Sequence, residues 1–431
     1  MTPSTGSTRP DDSIQTLSPG EIMAQTYRWD RLRGAGQGTA ETCWQVFALL
    51  IAIRVFSADS SIKQFIPMGM GLGFLFSPIA LSLANRLKCP VSRIVSYIWI
   101  VVALFLAGMA FSKSIFTYVV CVTLAQFTAS LAIPMVTHIY SQNYPSTRRG
   151  SLLSNNFIIA SIFGIGFGFL GGKILDWDVS IYPVIFAAGI FAALVSAWAC
   201  WKIPSQPAYT LQSGNPFTSL VGAWNDKLFR MMLFAWMLMG LGNLMLIPIR
   251  VEYLANPIYG INASNAQISI LLVSTVLTFR LISTKIWGKL FDRINVVTLR
   301  ISLNTVFATS IACFFFTTNI WLMALGCALL GTAFGGGGIL WTLYVTKISP
   351  PDKVASYMSV HSFLTGFRMA IAPFVGYAVM KYTHPSLAAW IALLLISIST
   401  LIFLPLKSRI DAKAKTLDQP PQQRFSPASP S

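Results

Sequence analysis

The sequence predicts an all-α integral membrane protein, with 12 transmembrane helices in two pseudo-symmetric six-helix bundles. Its composition, its count of apolar runs and its one-sided Lys and Arg together predict this. Of 431 residues, 54% are hydrophobic and 10% are charged, against about 25% charged in an ordinary soluble domain. With a mean hydropathy of +0.63, too few polar residues remain to cover a water-exposed globule, so the bilayer is the solvent. Cys43, Cys89, Cys121, Cys200, Cys313 and Cys327 lie in or beside apolar runs without close spacing. They read as free, buried thiols and not as a disulfide scaffold.

Residues 1–37 form a polar tail with Asp11, Asp12, Glu21, Arg28, Arg31 and Arg33. It has no apolar core of a secretory signal and is expected to stay disordered in the cytoplasm. The first bundle, residues 38–201, follows as six runs, each near the ~20 residues that carry a helix across ~30 Å of hydrocarbon. They are Thr39–Ser57, Ile62–Ala84, Val91–Phe111, Ile115–Tyr140, Leu152–Ile174 and Ile181–Trp201. Residues 202–227 read as a linker, broken by Pro204, Pro207, Gly214, Asn215 and Pro216. The second bundle, 228–406, has Leu228–Tyr253, Ala266–Trp287, Val296–Phe316, Ile320–Thr346, Val354–Met380 and Leu387–Leu406. Residues 407–431, with Pro420, Pro421, Pro427 and Pro430, read as a second disordered tail.

The net charge of +17 is distributed by side of the membrane. Of the 31 Lys and Arg, 23 fall in the two tails and the connections on their side, and four on the opposite side: Lys63, Lys113, Lys173 and Lys381. The remaining four, Arg54, Arg250, Arg280 and Arg368, fall within spans. This bias places both termini in the cytoplasm of a multi-pass cell-membrane protein. It also accounts for the basic pI without nucleic acid, since no single patch gathers the charge.

The halves repeat. Ile51-Ala52-Ile53-Arg54-Val55 ends span 1 and Ile247-Pro248-Ile249-Arg250-Val251 ends span 7. Leu83-Ala84-Asn85-Arg86, followed by Arg93-Ile94, corresponds to Leu290-Phe291-Asp292-Arg293, followed by Arg300-Ile301 at the same separation. Tyr140, Pro145, Ser151 and Gly171 line up with Tyr344, Pro350, Ser356 and Gly376. Gly288-Lys289-Leu290-Phe291-Asp292-Arg293 also fits the G-x-L-x-D-R signature of the major facilitator superfamily, which the chain resembles over roughly residues 38 to 407. That resemblance implies two six-helix bundles around a central cavity that opens alternately to each side, lined by helices 1, 4, 7 and 10. In the first-half copy Asn85 stands where an acidic residue is usual and Leu81 where Gly is usual. The antiporter signature G-P-x-x-G-G is matched only as Phe167-Gly168-Phe169-Leu170-Gly171-Gly172.

Gating is expected at Gly288, Asp292, Arg293, Asn85 and Arg86. A carboxylate among basic residues at a cytoplasmic mouth can pair in one state and release in the other; simple neutralisation of a basic loop is the competing reading. Charges at membrane depth cost ~2.5 to 3.5 kcal/mol on insertion scales, so Arg54, Arg250 and Arg368 are candidate cargo contacts. Arg54 and Arg250 sit at equivalent places and would grip an anion as a pair, or else snorkel to the headgroups. The resemblance supports the first reading, because members that carry organic phosphates use Arg in these helices. Arg368 lies seven residues after His361, on one helix face. Arg280 reads as snorkelling or packing at the gate. Asn243 and Trp341 are further candidates for a polar lining, with Trp44, Gln126 and Asn156. Only Glu41 and Glu252 among the acids fall within spans, each near an end. Coupling through Glu41, Glu252 or a His, exchange and uniport all stay open.

The expected function is a secondary active transporter of a small organic solute, with an anion the cargo its arginines suit. The alternatives are a non-transporting scaffold or receptor, and a proton-coupled exporter of sugars or lipophilic compounds. No His, Asp or Glu cluster at a membrane face supports an enzyme, and no G-x-x-x-x-G-K-[ST] supports nucleotide-driven pumping. No cofactor, no metal and no nucleic-acid partner is expected; the partners are a small-molecule substrate and the lipid bilayer, and the chain is expected to be a monomer.

Overall fold

The first helix starts well before its apolar run. The Ser18 hydroxyl accepts from the Glu21 amide, the Glu21 carboxylate accepts from the Ser18 amide at 2.8 Å, and Pro19 takes the first helical position. From this cap, Pro19–Thr42, a π-helical turn Cys43–Phe47 and Ala48–Arg54 run on as span 1. Residues 19–37, expected as disordered tail, are helix. Hydropathy alone sets a start at 38, but Thr26, Asp30 and Arg33 are buried against the rest of the bundle, which pays for extending the rod.

This computed structural model describes residues 17–87, 89–145, 148–207, 224–348 and 354–409. Span 2 comprises Ser60–Lys63, a 3₁₀ turn Ile66–Met68 and Gly69–Ala84. Spans 3 to 7 are Val91–Ala110, Ile115–Asn143, Arg149–Trp177, Tyr182–Lys202 and Lys227–Ala255. Span 8 comprises Asn265–Ser269, a π-helical turn Ile270–Thr275 and Val276–Arg293. Spans 9 to 12 are Val296–Phe315, Ile320–Ile348, Val354–Tyr382 and Pro385–Phe403. Among the described residues, ten helices are long and apolar enough to cross a membrane. Spans 1 and 2 complete the layout of twelve. Gln37, Glu41 and Gln45 dilute the first, and the longest uninterrupted helix of the second has only 16 residues. Of the expected tails and linker, residues 1–16, 208–223 and 410–431 lie outside the described residues.

Packing repeats between the halves. Span 1 packs on 5 and 6, span 3 on 4 and 6, and span 2 on 4; likewise span 7 packs on 11 and 12, span 9 on 10 and 12, and span 8 on 10. Each pairing in the first bundle thus recurs six spans later, the pseudo-symmetry that the repeated residues predict. The Val91 amide donates to the Gln206 carbonyl at 3.1 Å, and the Asn143 amide group to the Pro204 carbonyl at 2.7 Å, joining the ends of spans 3, 4 and 6. In the second bundle Lys347 donates to the Phe291 carbonyl at 2.8 Å, and Tyr357 to Asp226 at 2.9 Å. These ends form the basic face; the opposite end of the rods is the far face.

The bundles meet where span 2 crosses 11, span 5 crosses 8 and span 1 touches 7. Spans 2 and 11 approach backbone to backbone at Gly71 and Gly366. A Cβ on Gly366 would lie 2.9 Å from the Leu75 nitrogen and 3.0 Å from the Gly71 oxygen, so this contact requires glycine. Gly366→Val should wedge the two bundles apart at a cost of about 1–3 kcal/mol. Differential melting of the purified protein checks this, and an unchanged midpoint would contradict the contact.

Candidate functional site

A polar stripe runs along span 1. Asp30, Arg33, Gln37, Glu41 and Gln45 follow at steps of three and four residues and so share one face. Arg33 pairs with Asp30 at 2.7 Å and donates to the Tyr140 hydroxyl at 2.7 Å; Tyr140 in turn donates to Asp30 at 2.8 Å and accepts from Asn156 at 3.2 Å. Arg33 also bonds Gln37, whose side-chain amide donates to Glu41 at 2.6 Å. A network satisfied in this way holds its members rigidly. The rod continues 13 residues beyond Glu41 to Arg54, so Glu41 lies roughly 20 Å from that end. The helix begins at Pro19 and not at Thr39, so Glu41 lies inside the rod and not in its first turn.

Across the bundle interface, Arg280 of span 8 lies within electrostatic reach of Glu41 and is exposed. The π-helical turn of span 1 begins two residues after Glu41, and that of span 8 ends five residues before Arg280. Such turns tilt the local side-chain register and recur at functional positions.

The far face is closed by contacts between bundles. Lys63 donates to both Glu252 oxygens at 2.7 Å, with both residues almost fully buried, and Asn256 donates to the same carboxylate at 2.9 Å. Lys63, counted from sequence as a free loop charge, and Glu252, read as a span-end acid, are therefore partners. The Asp176 carboxylate at the end of span 5 accepts from the Asn265 and Ala266 amides at 2.6 and 3.1 Å, capping the start of span 8. Arg54 donates to the Ala263 carbonyl at 2.8 Å, and Phe65 meets Phe374 edge to face at 5.0 Å.

The expected anion grip by Arg54 and Arg250 is not assembled. Arg54 spends its guanidinium on a backbone carbonyl of the other bundle. Arg250 turns into the second bundle, 2% exposed, with its charge over the rings of Phe314 and Phe315 at 5.6 and 5.4 Å. Two aromatic faces take the place of an anion. A buried charge held this way is dispensable for stability if its volume is kept. Arg250→Met should keep the melting midpoint and solute movement; lost movement at an unchanged midpoint would return Arg250 to the cargo, and a lowered midpoint would make its charge structural.

Arg368 donates to the Trp236 carbonyl at 2.8 Å, inside the second bundle. His361 lies edge-on to Trp236 and beside Trp341 at 4.9 and 5.5 Å. Trp341 reaches the bundle interface, 6.5 Å from Phe74 of span 2, and donates to Thr365 at 3.2 Å. Arg368, His361 and Trp341 are thus brought together, whereas Asn243 is buried in span 7. Among the gating candidates, Arg86 and Arg293 are exposed on the basic face, Asn85 ends span 2, and Gly288 lies one turn from the end of span 8. The Asp292 side chain lies outside the described residues. His384, given no role from sequence, caps span 12 by accepting from the Ser386 amide at 3.2 Å. Its position just before Pro385 is a legible cap signal.

Two pseudo-symmetric six-helix bundles meeting at a polar interface make up the fold. Residues 233–429 match the family model described as Major Facilitator Superfamily. The chain is similar to the nucleoside transporter NupG at 14% identity, with TM-score 0.68 over 90% of this chain and 98% of that one. A D-xylose-proton symporter superposes at TM-score 0.64 and 13% identity, over 90% and 99% of the two chains. A peptide transporter POT in complex with sulfate does so at 0.68 and 12%, over 93% and 99%. No curated protein matches by sequence.

Proposed function

We propose that the chain is a secondary transporter that moves a small organic anion between its two bundles by alternating access, as a monomer in the cell membrane with both termini in the cytoplasm. The observation that carries this reading is the buried Lys63–Glu252 pair, which joins the bundles at the far face only. A buried pair is a poor source of net stability but strongly disfavours separation of its partners. It is therefore suited to hold one of two states. The basic face would close in the other state through Asn85, Arg86, Gly288, Asp292 and Arg293.

Arg280 supplies the anion contact, and Glu41 competes for it. With Glu41 ionised, Arg280 is engaged; with Glu41 protonated, the guanidinium is released to an anionic solute. Gln37, Arg33 and Arg280 are the groups that act on the Glu41 carboxylate. Trp341 forms the opposite wall. In proteoliposomes challenged with organic anions, neutral sugars and lipophilic cations, anion uptake should predominate and fall at least about tenfold in Arg280→Gln. Movement of sugars or cations instead would overturn the cargo class, and movement of none would overturn transport.

A further inference from the structure

Besides Arg250, the second bundle buries two arginines that converge on one residue and, among the described residues, have no carboxylate partner. Arg300 of span 9 is 2% exposed and Arg368 of span 11 is 7% exposed. Both converge on Trp236: Arg300 lies 4.1 Å above its ring, and Arg368 binds its carbonyl. Tyr344 stacks on the same indole at 4.9 Å, and His361 stands 4.9 Å from both rings. Arg300 Nε and Nη2, Arg368 Nε, Tyr344 Oη and His361 Nε2 are buried without a hydrogen-bond partner.

The first bundle shows what is missing. There the buried Arg33 is answered by Asp30 and by Tyr140, the counterpart of Tyr344. In the second bundle the tyrosine is kept, but among the described residues no carboxylate acts on Arg300 or Arg368, and Arg300 faces the like charge of Arg368. Guanidinium groups stay protonated in proteins, so a buried pair of them needs a counter-anion. Their planar forks match the geometry of an oxyanion.

We propose that the second bundle contains a binding site for a small oxyanion of the sulfate, phosphate or carboxylate class, bracketed by Arg300 and Arg368 and completed by Tyr344 and His361. Trp341 separates it from the bundle interface and forms its door. Arg300 belongs to this site although the sequence places it among the loop charges of the basic face. The site lies within one bundle, so its failure leaves the path between the bundles standing.

The test uses the full-length purified protein. Sulfate, phosphate and acetate are titrated against choline chloride at constant ionic strength, and the melting midpoint and tryptophan fluorescence are followed. Saturable responses to the oxyanions and not to chloride are expected. Tyr344→Phe keeps the ring on Trp236 and removes only the hydroxyl; it should weaken apparent binding about tenfold. Arg368→Gln should abolish binding, and the tyrosine variant decides the matter if that protein does not fold. A parallel titration with phosphatidate in mixed micelles separates the sources: a response to phosphatidate alone assigns the same site to a lipid headgroup. Equal responses to chloride and oxyanions, or unchanged affinity in Tyr344→Phe, would overturn the site.

Discussion

Glu252→Gln should open the far face. Removing one partner of a buried pair costs about 3–5 kcal/mol, and a two-state equilibrium moves about two orders of magnitude for roughly 3 kcal/mol. The remaining closing contacts, including Asp176 at the start of span 8, offset part of this shift. In a background without the six native cysteines, a thiol placed at Phe374 should react with a membrane-impermeant reagent at least about tenfold faster in Glu252→Gln than in its absence. Lys63→Met should act alike. The exchanged pair Lys63→Glu with Glu252→Lys should restore slow labelling, because the ion pair is rebuilt with its ends reversed. Equal labelling in all four proteins would mean that the pair does not hold the bundles together.

The second large effect is expected at Glu41. If this carboxylate carries the proton that frees Arg280, Glu41→Gln fixes it in the uncharged form. Exchange of labelled for unlabelled anion should continue, while uptake driven by a pH gradient should fall by at least about tenfold. The Gln37 and Arg33 contacts to the stripe are retained by an amide of the same shape, so the change isolates the proton. Gradient-driven uptake at the normal rate would exclude Glu41 as the carrier, and loss of exchange as well would make it a cargo ligand or a structural residue.

The architecture was legible because membrane folding leaves a strong trace in sequence: each rod needs a long apolar run, and the repeated motifs mark the two halves. The helix start at Pro19 was obscured, since a polar face buried inside a bundle has the hydropathy of a tail. Ser18, Pro19 and Glu21 together form a cap signature that points to it. Lys63 and Glu252 stand 189 residues apart, and no spacing rule links charges on different bundles. Arg54 and Arg250 occupy repeated positions yet point to different surroundings, because pseudo-symmetry of the backbone does not extend to side-chain neighbours. Arg300 shows the converse limit: a basic residue five positions into a helix reads as loop charge until packing buries it.

The account depends on relative movement of the two bundles at the far face. The direct measurement places cysteines at Lys63 and Glu252 in a protein otherwise free of cysteine, joins them with a short bifunctional thiol reagent that is cleaved by reduction, and follows anion uptake before cross-linking, after it and after cleavage. Arrest on cross-linking with recovery on cleavage is the predicted result. Undiminished uptake with the far face tied shut would contradict it.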